Sequence, residues 1–418
     1  MIYVKNTKSI WLWSYIASNV IAAAIILNSE TLLGDFDGFP FKDDAVLLFA
    51  LSLVVGSYFF MLGPFFSWMS KFKVSKAEYS SGDSVVNLIF GVVLFVLQLG
   101  FMIFNLTEGV NVAGDAGSVS SSPLAIVWVF IPVDYLFLIY YPLARGRVLF
   151  KCNFILWVVS NLLRGWSGVF LFIIFFELAA LARKGKLSVR LLSLVGVVVF
   201  IAYPFILSFK WVVRSASKVG MDLGVVFSEA WKVIGEVDYM SAIGDGLLHL
   251  VGRLQTVSNL IETMLIKNTL AHGFDNGEFA PFWKEGLLGI AYDRLFLKGK
   301  SISLNVMFTQ YAGLNGHLNF GDWNINIGFL SWVFVSPECA IFYFLYIFLL
   351  CGISVFLTKK INSDVSQVEG LWLIWLLFLM PPWLGAFVGY IYALIFYIIV
   401  KFVINYVVKI YSVAVVGK

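Results

Sequence analysis

The chain has 418 residues, of which 60% are hydrophobic, 17% aromatic and only 13% charged, with a mean hydropathy of +0.90. This composition excludes a soluble globular domain and calls for lipid as the main solvent. The net charge of +4 is used for topology only, because in a membrane protein the position of Lys and Arg carries more information than their sum, and no nucleic-acid partner is expected.

Long apolar runs recur along the whole chain, so it reads as one all-α polytopic membrane domain, 1–418, and not as a soluble domain with one anchor. About ten transmembrane helices are expected: 10–28, 45–68, 84–106, 124–143, 148–163, 165–182, 190–208, 336–358, 369–382 and 384–404. Lys5 and Lys8 precede the first, as in a signal sequence, but no small-residue cleavage site follows and a retained helix is expected. With both termini cytoplasmic, 17 of the 29 basic residues fall on cytoplasmic positions, and only Lys42 and Arg164 fall in short outer connections. Cys152, Cys339 and Cys351 show no metal-ligand spacing and read as packing residues.

In the first outer loop, Asp35-Phe36-Asp37 is followed by Asp43 and Asp44, an acidic loop whose DxD spacing also suits a metal site. Asp134 lies midway along 124–143, two residues after Pro132; intramembrane acids are functional candidates by default, and a buried structural partner is an equal alternative. Between Cys152 and Ala182, basic clusters flank both sides of Asn161-Leu162-Leu163-Arg164-Gly165-Trp166-Ser167-Gly168. One long helix would put Arg164 near mid-membrane at about 2.5–3.5 kcal/mol. Two short helices of about 24–27 Å, meeting at an outward turn that carries Arg164, avoid that cost.

Residues 209–335 form a large extracytoplasmic loop, too long for a passive linker, and hold all three histidines, His249, His272 and His317. Within it, 242–266 has helical apolar spacing, with Asp245, His249, Arg253 and Thr256 together on another side. A cation and an imidazole one turn apart suit a phosphate or a reacting hydroxyl; a solvated helix face is the plainer alternative.

Val251-Gly252-Arg253-Leu254, then an apolar helix to Ile266, then Lys267-Asn268-Thr269-Leu270-Ala271-His272-Gly273-Phe274-Asp275-Asn276-Gly277-Glu278-Phe279, resembles the outer-loop pattern of O-antigen polymerases and O-antigen ligases. The Arg164 turn is similar to another element of those families, as is Asn324-Ile325-Asn326-Ile327-Gly328-Phe329-Leu330-Ser331-Trp332 leading through Ser336-Pro337-Glu338 into the next span. Ligases place a histidine in a His-Asn context before the re-entry helix; here Asn324 and Asn326 stand there with His317 upstream, which favours a polymerase.

The resemblance implies a GT-C-like fold and a bacterial inner-membrane glycosyltransferase without a cofactor. Its substrate would be an undecaprenyl-pyrophosphate-linked oligosaccharide, which it would polymerise into a surface polysaccharide, in contact with membrane lipids and with a chain-length regulator as a partner. Arg164, Arg253, Arg214 and Lys210 are the residues expected to bind pyrophosphate, since a guanidinium fork holds phosphate oxygens bidentately. His317, Asp322 and His249 are the candidates for the catalytic base, and Trp231, Phe279, Trp283, Tyr292, Tyr311 and Trp323 for stacking on sugars. Two other readings stay open: a metal-dependent polyprenyl-phosphate-sugar glycosyltransferase using Asp35 and Asp37, and a lipid-linked oligosaccharide flippase or transporter built on Asp134 and Glu177.

Overall fold

An apolar chain in lipid must satisfy its own backbone polar groups, and helices do so within one segment. The computed structural model describes every residue except 1–3, 5, 76–82, 114–119, 121, 220–227, 229–231, 233–238, 287–288, 290–301, 315–324, 363 and 417–418. The described residues are helical apart from turns and an isolated Thr31–Pro40 bridge.

In chain order the helices are α1 (Thr7–Ser29), α2 (Asp44–Met69), α3 (Asp83–Glu108), α4 (Leu124–Phe130), α5 (Val133–Ala144), α6 (Val148–Leu163), α7 (Val169–Arg183) and α8 (Val189–Val219). Then come α9 (Tyr239–Leu254), α10 (Val257–Leu265), α11 (Lys267–Asp275), α12 (Leu304–Tyr311), α13 (Ser331–Val335), α14 (Ala340–Ile361), α15 (Val365–Ile374) and α16 (Leu384–Val416). Seven helical stretches are long and apolar enough to cross a membrane: α1, α2, Val85–Glu108, Leu124–Ala144, Val189–Lys210, Pro337–Ile361 and Leu384–Ile410. The chain is therefore a multi-pass membrane protein. Three further stretches expected as spans are apolar helices of fewer than 18 residues: α6, with the expected bounds, α7 and Val365–Leu379.

Proline explains two departures from regular helix. The expected helix over 124–143 is broken at Ile131–Pro132, since Pro132 has no N–H to donate and disfavours helical geometry in the residue before it. Asp134 thereby falls in the first turn of α5. Pro64 sits in a π-turn over Met61–Phe65, in which the Phe66 N–H bonds to the Gly63 and Met61 carbonyls. The Leu62 carbonyl between them accepts from Trp372 Nε1 at 2.9 Å, so the bulge fastens α2 to α15.

Close approach between helices is set by small residues. A Cβ on Gly389 of α16 would come 2.9 Å from the Tyr135 ring of α5, and one on Gly91 of α3 would come 2.4 Å from the Tyr140 hydroxyl. A continuous apolar core runs through α1, α2, α5, α7, α14, α15 and α16 and on into α10 and α12.

The connections segregate to two ends. At one, Val4 N–H bonds to Leu187 O, Lys359 Nζ to the Ser70 and Phe72 carbonyls, Arg145 pairs with Glu177 and Arg183 with Glu369. These are the basic connections assigned to one side by their charge. At the other end, Trp166 Nε1 donates to Asn111 O and its ring packs on Trp383, while residues 31–40 meet residues 252–258.

Helix α8 differs from the other long helices. Only 6% of its most apolar stretch is buried, against 33–44% in the other six, so this stretch lies at the protein surface, which for an apolar helix means lipid. It has 31 residues, or about 46 Å, and so extends past the span's end at Lys210. Helix α9 packs along it.

Candidate functional site

Where α9 crosses α8, Gly246 lies over Tyr203 and Pro204, with 3.4 Å from its would-be Cβ to the Tyr203 ring. Phe200, Tyr203 and Pro204 on α8 and Ile243, Leu247 and Leu250 on α9 line a narrow apolar crevice there. Tyr203 precedes Lys210 by two helical turns, about 10 Å, so the crossing lies inside the apolar part of α8. At it, the Tyr203 hydroxyl and His249 Nδ1 are 2.6 Å apart. Burial first, then the positive charges of Arg253 and Lys210, push His249 down to about 4, so the imidazole is neutral in the free protein.

One turn after His249, Arg253 Nη1 stands 3.3 Å from Asp35 Oδ1; Arg253 is 38% exposed and Asp35 10%. Backbone contact sets this pair. Gly34 has φ +78°, and a Cβ on Gly252 would fall 2.8 Å from the Gly34 Cα, so the glycine before Arg253 is required by the first loop's approach. The turn is further tied down by Leu33 N–H to Ser258 Oγ at 3.2 Å and Gln255 Nε2 to Leu33 O at 3.3 Å.

The helix expected over 242–266 is in fact two helices. It breaks at Gln255–Thr256, where buried Asn19 of α1 accepts from the Thr256 and Val257 N–H groups at 2.8 and 3.2 Å and so satisfies the start of α10. Thr256 therefore leaves the face shared by His249 and Arg253, and Asp245 is exposed on α9. A Gly252→Val substitution is expected to cost about 1–3 kcal/mol and to part Asp35 from Arg253. Gly244→Val on the open side of the same helix, with nothing within 4 Å, is the comparison; the two melting curves measured in detergent check this.

Three of the residues expected to handle pyrophosphate or a proton, Lys210, His249 and Arg253, thus act on one another. Arg214 follows one turn after Lys210 on α8. His317, Asp322, Trp231, Tyr292 and Trp323 lie outside the described residues.

Arg164 does sit on a turn between two short helices, with Gly165 at φ +71°. Its surroundings differ from an open anion seat. Only 5% exposed, its Nη2 bonds both Asp134 oxygens at 3.0 and 2.9 Å, its Nε donates to Ser160 O at 3.1 Å, and its guanidinium lies 5.0 Å from the Phe101 ring. Asn161 Nδ2 also donates to Asp134, at 3.2 Å. A phosphate there would have to compete with a bidentate carboxylate already in place.

The histidine and glycine stretch is helix α11 through Asp275, followed by a turn at Asn276–Gly277 with Gly277 at φ +71°. His272 Nε2 stands 3.3 Å from Asn276 Nδ2, and a Cβ on Gly273 would meet the Tyr311 hydroxyl at 2.3 Å. Tyr311 donates to Glu278, and with Asn276 holds that carboxyl below its usual range. Phe279 is core, packed on Phe274 and Trp332 at 6.0 and 6.1 Å. Trp283 lies against Phe342 at 5.4 Å.

In Asp35-Phe36-Asp37, Asp35 is turned onto Arg253 and Asp37 is exposed beyond buried Phe36, so the two do not present carboxylates to one ion. Asp43 caps α2 through Val46 N–H at 3.0 Å, on the rim of an open groove of about 550 Å³ that reaches Leu265. Among the described residues, no group of three or more His, Cys, Asp or Glu is placed to hold a metal ion.

Two residues carried no local signal, Tyr203 at the crossing and Glu285 in the segment between α11 and α12. Tyr203 is one aromatic residue among many in a span. Glu285 follows Phe282, whose ring sits 5.1 and 5.5 Å from Tyr343 and Tyr346 of α14, and burial pushes its carboxyl up to about 8. No protein-family model, curated protein or solved structure matches the chain.

Proposed function

We propose that the chain is a glycosyltransferase of the O-antigen polymerase type. It joins undecaprenyl-pyrophosphate-linked oligosaccharide repeat units into a surface polysaccharide on the outer face of a bacterial inner membrane. The observation that carries this reading is the contact of His249 with Tyr203 where α9 packs on the lipid-facing helix α8, with Arg253 and Lys210 within electrostatic reach of the imidazole. A lipid-linked anion needs such a place, with cations for its phosphates beside an apolar path for its chain.

In the transfer, an acceptor hydroxyl oxygen attacks the anomeric carbon of the donor chain. The bond from that carbon to the pyrophosphate oxygen breaks, and the lipid pyrophosphate leaves with the electron pair. Arg253, helped by Lys210 and Arg214, neutralises the growing negative charge, and holding both substrates lowers the entropic part of the barrier. The hydroxyl proton goes to a base, for which His249, His317 and Asp322 are proposed.

His249 is a weak base in the free protein, first because it is partly buried and then because Arg253 and Lys210 disfavour its charged form. Bound pyrophosphate offsets both cations while burial remains, so the imidazole regains part of its basicity only with substrate present. The acid limb of kcat/KM, which reports the free protein, is then expected near pH 4, and that of kcat, which reports the complex, higher. His249→Gln is expected to remove the difference between the two. The sign for stability follows from the same depression. His249 contributes fully above its ordinary value of 6.5 and loses that contribution as pH falls toward 4.

Labelled repeat units in proteoliposomes test the function itself. Lengthening without net movement across the bilayer is expected; net movement without lengthening would assign a flippase instead.

A further inference from the structure

Asp35 has a second significance, which rests on the reading of Arg253 as a pyrophosphate seat. We propose that Asp35 is a resident counter-anion that occupies Arg253 in the unliganded protein and is displaced by the incoming phosphate.

The first loop is built to keep that carboxylate where it is. Gly34 and Gly252 touch backbone to backbone, and the bonds from Leu33 to Ser258 and from Gln255 to Leu33 fix the turn on both sides of the contact. The turn therefore delivers Asp35, 10% exposed, to an arginine that is still 38% exposed. The pair meets through a single nitrogen at 3.3 Å, whereas a guanidinium fork binds best through two parallel bonds. Arg164 and Asp134 make a tighter pair, in which Nη2 bonds both carboxylate oxygens at 3.0 and 2.9 Å, Nε is held by Ser160 O at 3.1 Å and the guanidinium is buried. The Arg253 pair is thus weak enough for phosphate oxygens to replace. It is also placed so that a weakly charged anion gains little by doing so, and Asp35 sets how strongly an anion must bind to be admitted.

The test is binding of inorganic pyrophosphate to the full chain in nanodiscs of zwitterionic lipid, by calorimetry. Asp35→Asn keeps the shape and removes the charge, and is expected to tighten binding by about three- to ten-fold, most at low salt. Asp35→Ser is expected to act in the same direction. In an Arg253→Gln background the gain from Asp35→Asn is expected to vanish, because the cation competed for is gone. Unchanged or weaker binding by both Asp35 variants, with the melting temperature held, would show that Asp35 orients Arg253 and does not compete for it. Pyrophosphate binding indifferent to Arg253→Gln, whatever Asp35 does, would instead remove the pyrophosphate seat. The two failures are distinct, since one is read at Asp35 and the other at Arg253.

Discussion

Replacing Arg253 by Gln is expected to lower the rate of chain elongation by about 10²–10³-fold, the usual loss when one preorganised donor to developing negative charge is removed. The fold should tolerate the change. The side chain is 38% exposed and meets the 10%-exposed Asp35 through a long 3.3 Å contact, and the Gln amide can still donate to that carboxylate, so a loss of about 1 kcal/mol is expected. Arg253→Lys is expected to recover only part of the rate, since a point charge lacks the planar fork. Elongation rates and melting temperatures of the three proteins, measured side by side, check both halves. A rate loss that tracks loss of folded protein would make Arg253 structural.

Arg164→Ala is expected to have a comparably large effect of the opposite kind, destabilising the protein by about 3–5 kcal/mol, because it leaves the Asp134 carboxylate without its cation. The pair crosses from the α6–α7 turn to the first turn of α5, and the same turn is held by Ala113 N–H to Arg164 O at 2.8 Å. Arg164→Met combined with Asp134→Leu, which removes both charges, is expected to restore most of the stability, since replacing both members of a buried pair is often nearly neutral. Activity per folded molecule should change little in either variant. Unfolding by denaturant, with elongation normalised to folded protein, separates the cases. A large fall in normalised activity at unchanged stability would return Arg164 to the pyrophosphate-binding residues.

Much of the architecture was legible because lipid imposes simple rules. Apolar run length located the helices, and the ends marked by Arg145, Arg183 and Lys359 do gather together. The Arg164 turn was legible for the same reason, since an arginine in mid-membrane is costly. What local pattern could not supply was partnership between distant segments. The break at Gln255–Thr256 depends on Asn19, 237 residues earlier. The glycine before Arg253 was visible, but its cause, the touch of Gly34, was not. Asp35 reads as one acid of an acidic loop, with a metal pair as the alternative, and its partner is Arg253; the structural partner open for Asp134 is Arg164. Nor did the glycine of α11 show its cause locally, since Gly273 is where Tyr311, 38 residues later, packs on that helix.

Product length in proteoliposomes that contain only this chain and lipid-linked repeat units bears most directly on the proposed activity. A ladder of products is expected, with one lipid pyrophosphate freed for each unit added and the ladder nearly lost in Arg253→Gln. Repeat units recovered unchanged in length, or a ladder equally dense with and without Arg253, would contradict it.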